Sequence, residues 1–213
     1  MEEWASRSRS NGEIVVTAYR KLLPIEARLL SEHLARLTPS DKSLRFMGGM
    51  SDAALQAHCD GIDWFRTVVI GFFDAGILRG AAELQVAGKG LPMLYEVAVT
   101  VETAWQDQGV GTELLRRALL ITRNRAARGL HITCFSDNYR IQHVAAKFGA
   151  HFQNRAGHSE ADILTPGPTY WSLCAEAAED GVAWMNFWFD RTAAMLPQGA
   201  PNRAHLAARA LAN

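Results

Sequence analysis

The chain has 213 residues, 48% of them hydrophobic and 21% charged, which suits one substantial domain with extensions and is too short for two large ones. Lys plus Arg and Asp plus Glu both number 22, so net charge gives no reason to expect nucleic acid or an anionic membrane as a main partner. No apolar run reaches the ~18 residues of a membrane span. The separated cysteines, Cys59, Cys134 and Cys174, form no Cys-x-x-Cys pair and predict reduced thiols in a cytoplasmic protein.

Residues 1–12 are polar and lack the apolar stretch of a secretory signal, which predicts a flexible tail. Glu13 to Tyr19, rich in β-branched side chains, reads as a first strand. From Pro24 onward, Leu29, Leu30, Leu34 and Leu37 recur at helical spacing and predict one amphipathic helix that closes at Thr38-Pro39. The next residues, to Asp41, have a turn composition, and Ser43-Leu44-Arg45-Phe46 reads as a loop connection with one packed aromatic. Ser51 is the expected N-cap of a helix through Cys59. Arg66–Phe73, Ile77–Val86 and Leu94–Val101 then alternate as three antiparallel strands, joined at Asp74-Ala75-Gly76 and at Gly88-Lys89-Gly90.

The last of these strands delivers the chain to Gln106-Asp107-Gln108-Gly109-Val110-Gly111-Thr112, and an amphipathic helix leaves it. Glycines let the backbone take positive φ and let an outside group approach. Unpaired amides at a helix start, together with the helix dipole, favour an anion there. A P-loop would need Gly-Lys-Ser/Thr, but Gly111 is followed by Thr112 and Glu113; a dinucleotide fingerprint would need Gly or Ala where Leu114 stands. The helix is expected to end near Arg128, with Gly129 as its left-handed cap. Leu130–Phe135 returns as a strand parallel to Leu94–Val101, Ser136–Lys147 forms a further helix, and Phe148–Phe152 leads into another strand.

Gln-x-x-Gly-x-Gly between a strand and a helix, with Asn138 at the next helix start and Gly149 eleven residues later, resembles the GNAT superfamily of N-acetyltransferases. The resemblance implies an α/β domain over residues 13–164: a mixed, mostly antiparallel central sheet with a parallel fourth-and-fifth-strand pair, flanked by helices. It implies acetyl-coenzyme A as acyl donor, with the pantetheine arm along Val99, Thr100 and Val101, the pyrophosphate on the amides of Gln106 to Thr112, and Asn138 on the pantetheine. The acceptor would be an amine, either a small molecule or a protein lysine, with the segment around Leu44-Arg45-Phe46 near the acceptor.

An ammonium acceptor must lose a proton before it attacks, and a carboxylate is a suitable base. Glu96, in a strand where many superfamily members carry glutamate, is the first candidate and Glu83 the second. A backbone amide near Val99 would meet the tetrahedral oxyanion. Many members place a tyrosine acid seven residues after the helix-start asparagine; here that residue is Ala145. A CoA-binding regulatory or interaction module without turnover is therefore the competing reading. No His/Cys cluster has ligand spacing, so no metal is expected. Residues 165–213 form an extension in which Trp171, Cys174, Ala178, Val182 and Met185 share a helical stripe, expected to pack on the domain or on a second copy in a homodimer. Acid residues in that helix argue against a membrane surface.

Overall fold

The β-branched runs pair into a single sheet whose centre is the strand ahead of the glycine loop. The computed structural model describes residues 17–87 and 93–195. The expected tail, the start of the first strand, the Gly88-Lys89-Gly90 connection and the chain after Met195 lie outside the described residues.

The strands are β1 (Thr17–Lys21), β2 (Thr67–Asp74), β3 (Ile77–Ala87), β4 (Leu94–Val101), β5 (Gly129–Phe135), β6 (Gln153–Arg155) and β7 (His158–Leu164). Their order is β1-β2-β3-β4-β5-β7-β6, and every neighbouring pair is antiparallel except β4 and β5. This is the mixed, mostly antiparallel α/β sheet that the resemblance implies. Between β2 and β3 the turn residues Ala75 and Gly76 have φ of 50° and 75°, the sense that suits a tight hairpin in a right-twisted sheet.

Alternation along the strands gives the sheet two different faces. Ile70, Phe72, Ala82, Leu84 and Val97 pack against α4 (Val110–Asn124), which buries Leu114, Leu115, Ala118 and Ile121. The opposite face carries Val69, Phe73 and Ala81 under α1 (Ala27–Arg36) and α3 (Asp52–Asp60). A helix crosses between β4 and β5 because parallel neighbours need a long connection.

Local chemistry explains several departures from expectation. Pro24–Glu26 is a separate 3₁₀ turn before α1. The stretch read as a turn and a loop is a helix, α2 (Pro39–Phe46): Thr38 accepts from the Asp41 amide at 3.1 Å, and Pro39 occupies the first turn, where its missing N–H costs nothing. α4 ends at Asn124, with Ala126 rather than Gly129 in the left-handed region at φ 53°. Gly129 begins β5 instead, where a Cβ would stand 2.4 Å from the Ile163 carbonyl oxygen. Asn138 caps α5 (Tyr139–Ala146). Phe148–Phe152 is not strand; pairing resumes at β6 and β7.

The last helix, α6 (Tyr170–Met195), lies against β1 and α4. It does so through polar side chains. Glu176 and Asp180 accept from Lys21 at 2.5 and 2.7 Å, Glu179 pairs with Arg116 and Arg117, and Asn124 donates to the Ser172 carbonyl at 2.9 Å. Trp171, Val182 and Met185, from the expected apolar stripe, are 79%, 56% and 58% exposed.

Candidate active site between two parting strands

β4 and β5 are in register only over Leu94–Glu96 and Gly129–His131, although β4 runs on to Val101 and β5 to Phe135. Beyond that point the strands part, and a cavity of about 560 Å³ opens between them. Its walls come from β4, β5, the glycine loop and α5, and Leu44 and Arg45 of α2 close the remaining side.

Val99, Thr100, Val101, Gln106, Asp107, Gly109, Gly111, Thr112 and Asn138 all line the cavity. Gln108 and Val110 do not. Gln108 donates to the Ala104 carbonyl at 2.7 Å, and Val110, the first residue of α4, is buried in the core. Gly109 is the N-cap of α4 at φ 83° and offers no side-chain acceptor; the first bond into the helix runs from the Glu113 amide to the Gly109 carbonyl at 3.0 Å. The amides ahead of Glu113 therefore have no partner within the helix. A Cβ at Gly111 would meet only Val101, at 3.9 Å, and one at Gly109 would meet nothing within 4 Å. The space over this helix start is open.

Gln106 fixes the loop rather than pointing at the opening. Its amide donates to the Val101 carbonyl at 2.9 Å and to Asp41 at 3.3 Å, and its oxygen accepts from Arg140. Asn138 accepts from the Ile141 amide at 3.5 Å, an N-cap bond that holds α5 against the opening. Arg140 and His143 of α5 and Lys147 at its C-cap line the cavity on that side, while Asp41 and Asp107 line it near the glycine loop.

The two candidate carboxylates differ. Glu83, buried at 6% exposure, accepts from Arg45 at 2.8 Å and bonds His58 at 2.8 Å. Burial alone would raise its carboxyl, but the Arg45 charge and the His58 hydrogen bond outweigh it and bring it down to about 2. Such a group is a weak base. It lies outside the cavity lining and holds Arg45, which is in the lining. Glu96 is exposed and also outside the lining; it stands opposite Gln85 and His131 in the sheet register.

Further polar groups surround the end of β4. Glu102 is bonded by His33, Arg36 and Arg79, which together overcome burial and lower its carboxyl to about 2. The other ring nitrogen of His33, a fully buried side chain, lies 2.9 Å from Thr100 Oγ1. On β5, His131 Nδ1 lies 2.7 Å from Asp162 and His131 Nε2 lies 3.0 Å from Thr133 Oγ1, and Thr133 lines the cavity. Sequence reading passed over these groups. His131-x-Thr133 in a strand was the available hint, since residues two apart share a face, but Asp162 is 31 positions away.

Ala145, seven residues after Asn138, is fully buried in the apolar core. Cys134 lines the cavity, with its thiol raised by burial. Among the described residues no group of three or more His, Cys, Asp or Glu is placed to hold a metal ion, and no helix is long and apolar enough to cross a membrane.

Solved structures share this architecture. The GNAT domain of Streptomyces lividans PAT superposes with a TM-score of 0.61 at 18% identity, covering 74% of this chain and 99% of that one. An acetyltransferase of the GNAT family from Streptococcus pneumoniae gives 0.57 at 13%, covering 71% and 100%. The structure of yncA from Salmonella typhimurium with its cofactor acetyl-CoA gives 0.56 at 13%, covering 72% and 96%. No curated protein matches the chain. At these identities the likeness is one of fold, whereas the acetyltransferase (GNAT) family itself matches residues 38–150, more than half of the sequence. The chain belongs to the acetyltransferase (GNAT) family.

Proposed function

We propose that the protein is an N-acetyltransferase that moves an acetyl group from acetyl-coenzyme A to a primary amine, on a small molecule or a protein lysine, by direct attack within a ternary complex. The observation that carries this reading is one cavity joining an open helix start at Gly109–Thr112 to the gap between β4 and β5. Bound there, acetyl-coenzyme A supplies its acetyl group as an activated thioester. The amides ahead of Glu113 hold the pyrophosphate, Arg140 and Lys147 add positive charge to the cavity wall, and Val99, Thr100 and Val101, in the part of β4 that has no β5 partner, run alongside the amide-bearing arm. Glu96, without an ion pair among the described residues, is the carboxylate on the α1–α3 face toward which the acceptor's proton is drawn, directly or through a neighbouring group. Glu83 positions Arg45. Three unpaired thiols suit a cytoplasmic setting.

The test is calorimetry with acetyl-coenzyme A followed by thiol release over a panel of amines. Gly111→Val adds bulk where the anion is held while meeting only Val101, so affinity should fall at least tenfold with little change in thermal stability. Unchanged affinity would place the anion elsewhere. The burial of Ala145 in the apolar core favours one other reading, a coenzyme-A-binding module without turnover. Binding without thiol release on any amine would support that module.

The extension adds a proposal about assembly: α6 pairs with α6 of a second copy. Its acids Glu176, Glu179 and Asp180 are turned onto Lys21, Arg116 and Arg117 of their own domain. The outward side, from Tyr170 through Met185, is left uncharged and apolar, with small residues Ala177, Ala178 and Gly181 between the larger ones. The exposed large side chains offer on the order of 600 Å² per copy, and a self-complementary pair would cover about 1,200 Å², within the range of stable interfaces. Trp171→Glu should halve the mass measured by light scattering, and a wild type that is monomeric at tens of micromolar would refute the pairing.

A further inference from the structure

The unused polar chain on β5 leads from the cavity to the surface. His131 and Glu96 are the last register partners before β4 and β5 part, so His131 sits at the base of the opening. Thr133, two residues on, shares its face and lines the cavity. Asp162 is the register partner of His131 on β7. Glu96, His131 and Asp162 thus form one row across three strands.

The hydrogen-bond directions follow from chemistry. An ionised carboxylate only accepts, so the 2.7 Å contact to Asp162 requires the proton on Nδ1 of His131. In the neutral ring Nε2 then bears a lone pair, and the 3.0 Å contact requires Thr133 to donate its hydroxyl hydrogen. When the ring gains a proton, Nε2 becomes the donor and the Thr133 oxygen the acceptor. One proton reverses the bond without moving a heavy atom. A hydroxyl in the cavity, an imidazole behind it and a carboxylate behind that form the acid–base arrangement used wherever a proton must leave a nucleophile.

We propose that Thr133, His131 and Asp162 form the proton relay that deprotonates the acceptor amine, a role that rests on the acetyltransferase reading above. The ammonium gives one proton to Thr133 Oγ1 as the Thr133 hydroxyl proton passes to His131 Nε2; the hydroxyl is restored and His131 becomes imidazolium. The amine's remaining surplus proton leaves with the departing thiol when the C–N bond forms and the C–S bond breaks, so the protons balance. Asp162 positions the ring and, with Glu96, offsets its positive charge. His131, whose side chain is partly exposed beside that of Asp162, then returns its proton to solvent. The charged groups facing the ring are Glu96 from β4 and Asp162 and Glu160 from β7. Asp41 and Arg45 of α2 line the same cavity, while α4 meets the other face of β5 through apolar side chains.

Two measurements test the relay. In ligand-free protein, nitrogen-15 NMR should show the neutral His131 ring as the Nδ1–H tautomer, and Asp162→Ala should shift it toward the Nε2–H tautomer. In turnover, His131→Asn and Thr133→Val should lower kcat by roughly 10²-fold and flatten the acidic limb of the pH profile, with acetyl-coenzyme A affinity unchanged. Thr133→Ser should keep most of the rate. If the wild type turns over and His131→Asn retains its kcat and pH profile, the relay is wrong and the acetyltransferase reading stands. If Glu96→Gln abolishes turnover while His131→Asn does not, the proton goes to Glu96 directly and the relay is likewise refuted. A wild type that binds acetyl-coenzyme A but acetylates no amine overturns both proposals.

Discussion

The two faces of the central sheet are built by different means. On the α4 face the buried residues are apolar apart from Thr122, which returns its hydroxyl to the Ala118 carbonyl at 2.8 Å, and Ser159, which donates to Ser136 Oγ at 3.2 Å. Under α1, α2 and α3, apolar packing is interrupted by Glu83, Glu102 and His33, each buried and each bonded to cations or hydroxyls. Buried ions are poor providers of stability compared with apolar groups of the same volume. Their place beside the cavity gives them another use. The α4 face holds the domain together, and the opposite face holds Arg45 and the end of β4 in position.

The largest expected effect probes that division directly. Glu83→Gln leaves Arg45 mostly buried without its counter-charge and should cost about 4 kcal/mol in urea unfolding. The double change Glu83→Leu with Arg45→Met should recover most of this loss and still leave turnover strongly impaired. If the double variant regains activity along with stability, the charges on this face are structural and the contrast fails. Next comes the α4 face. Leu115→Ala, at a fully buried position, should cost about 3.5 kcal/mol, while acetyl-coenzyme A affinity per folded molecule stays within about twofold of wild type. A loss of affinity out of proportion to unfolding would tie this face to the site.

The smallest effect is seen with pH. Glu83 is lowered in the folded state to about 2, so the native protein binds fewer protons than the unfolded chain between that value and the ordinary glutamate range. Stability is fully present above about 4.5 and falls as the pH drops toward 2, by on the order of 3 kcal/mol from this group. Glu102 acts in the same direction. Thermal unfolding followed over this range should show a shallower acid slope for Glu83→Gln than for wild type; equal slopes would mean that the carboxylate is not held by Arg45 and His58.

What the sequence disclosed follows the range of its signals. β4, the Ala75-Gly76 turn and the glycine loop are local patterns, and each stands where alternation, turn chemistry and a helix start place it. α2 was missed because only Leu44 and Phe46 mark its apolar side, although Thr38 and Pro39 spell an N-terminus. β7 was missed because its buried positions are Ser159, Ala161 and Ile163, two of them too small to register as hydrophobic alternation. Gly129 carried an ambiguous signal, since close approach to Ile163 demands glycine as firmly as a left-handed cap does. In the site, the cavity wall was legible from the loop outward. The partners Glu83 with Arg45, and His131 with Asp162, lie 38 and 31 residues apart, and nothing local announces which strands will bring them together.

The parting of β4 and β5 amounts to a sheet edge enclosed inside the molecule. An outer edge offers its main-chain groups to any extended chain that drifts by, and proteins guard such edges against unwanted pairing. Here two strands joined at their base flank the exposed backbone, and the opening between them admits something slender entering from the mouth. A neighbouring protein's strand would need its own flanking chains removed to fit. On the proposed function, the fold would select by cross-section before any side chain selects by chemistry, leaving the strand edge open to a narrow ligand and closed to other folded proteins.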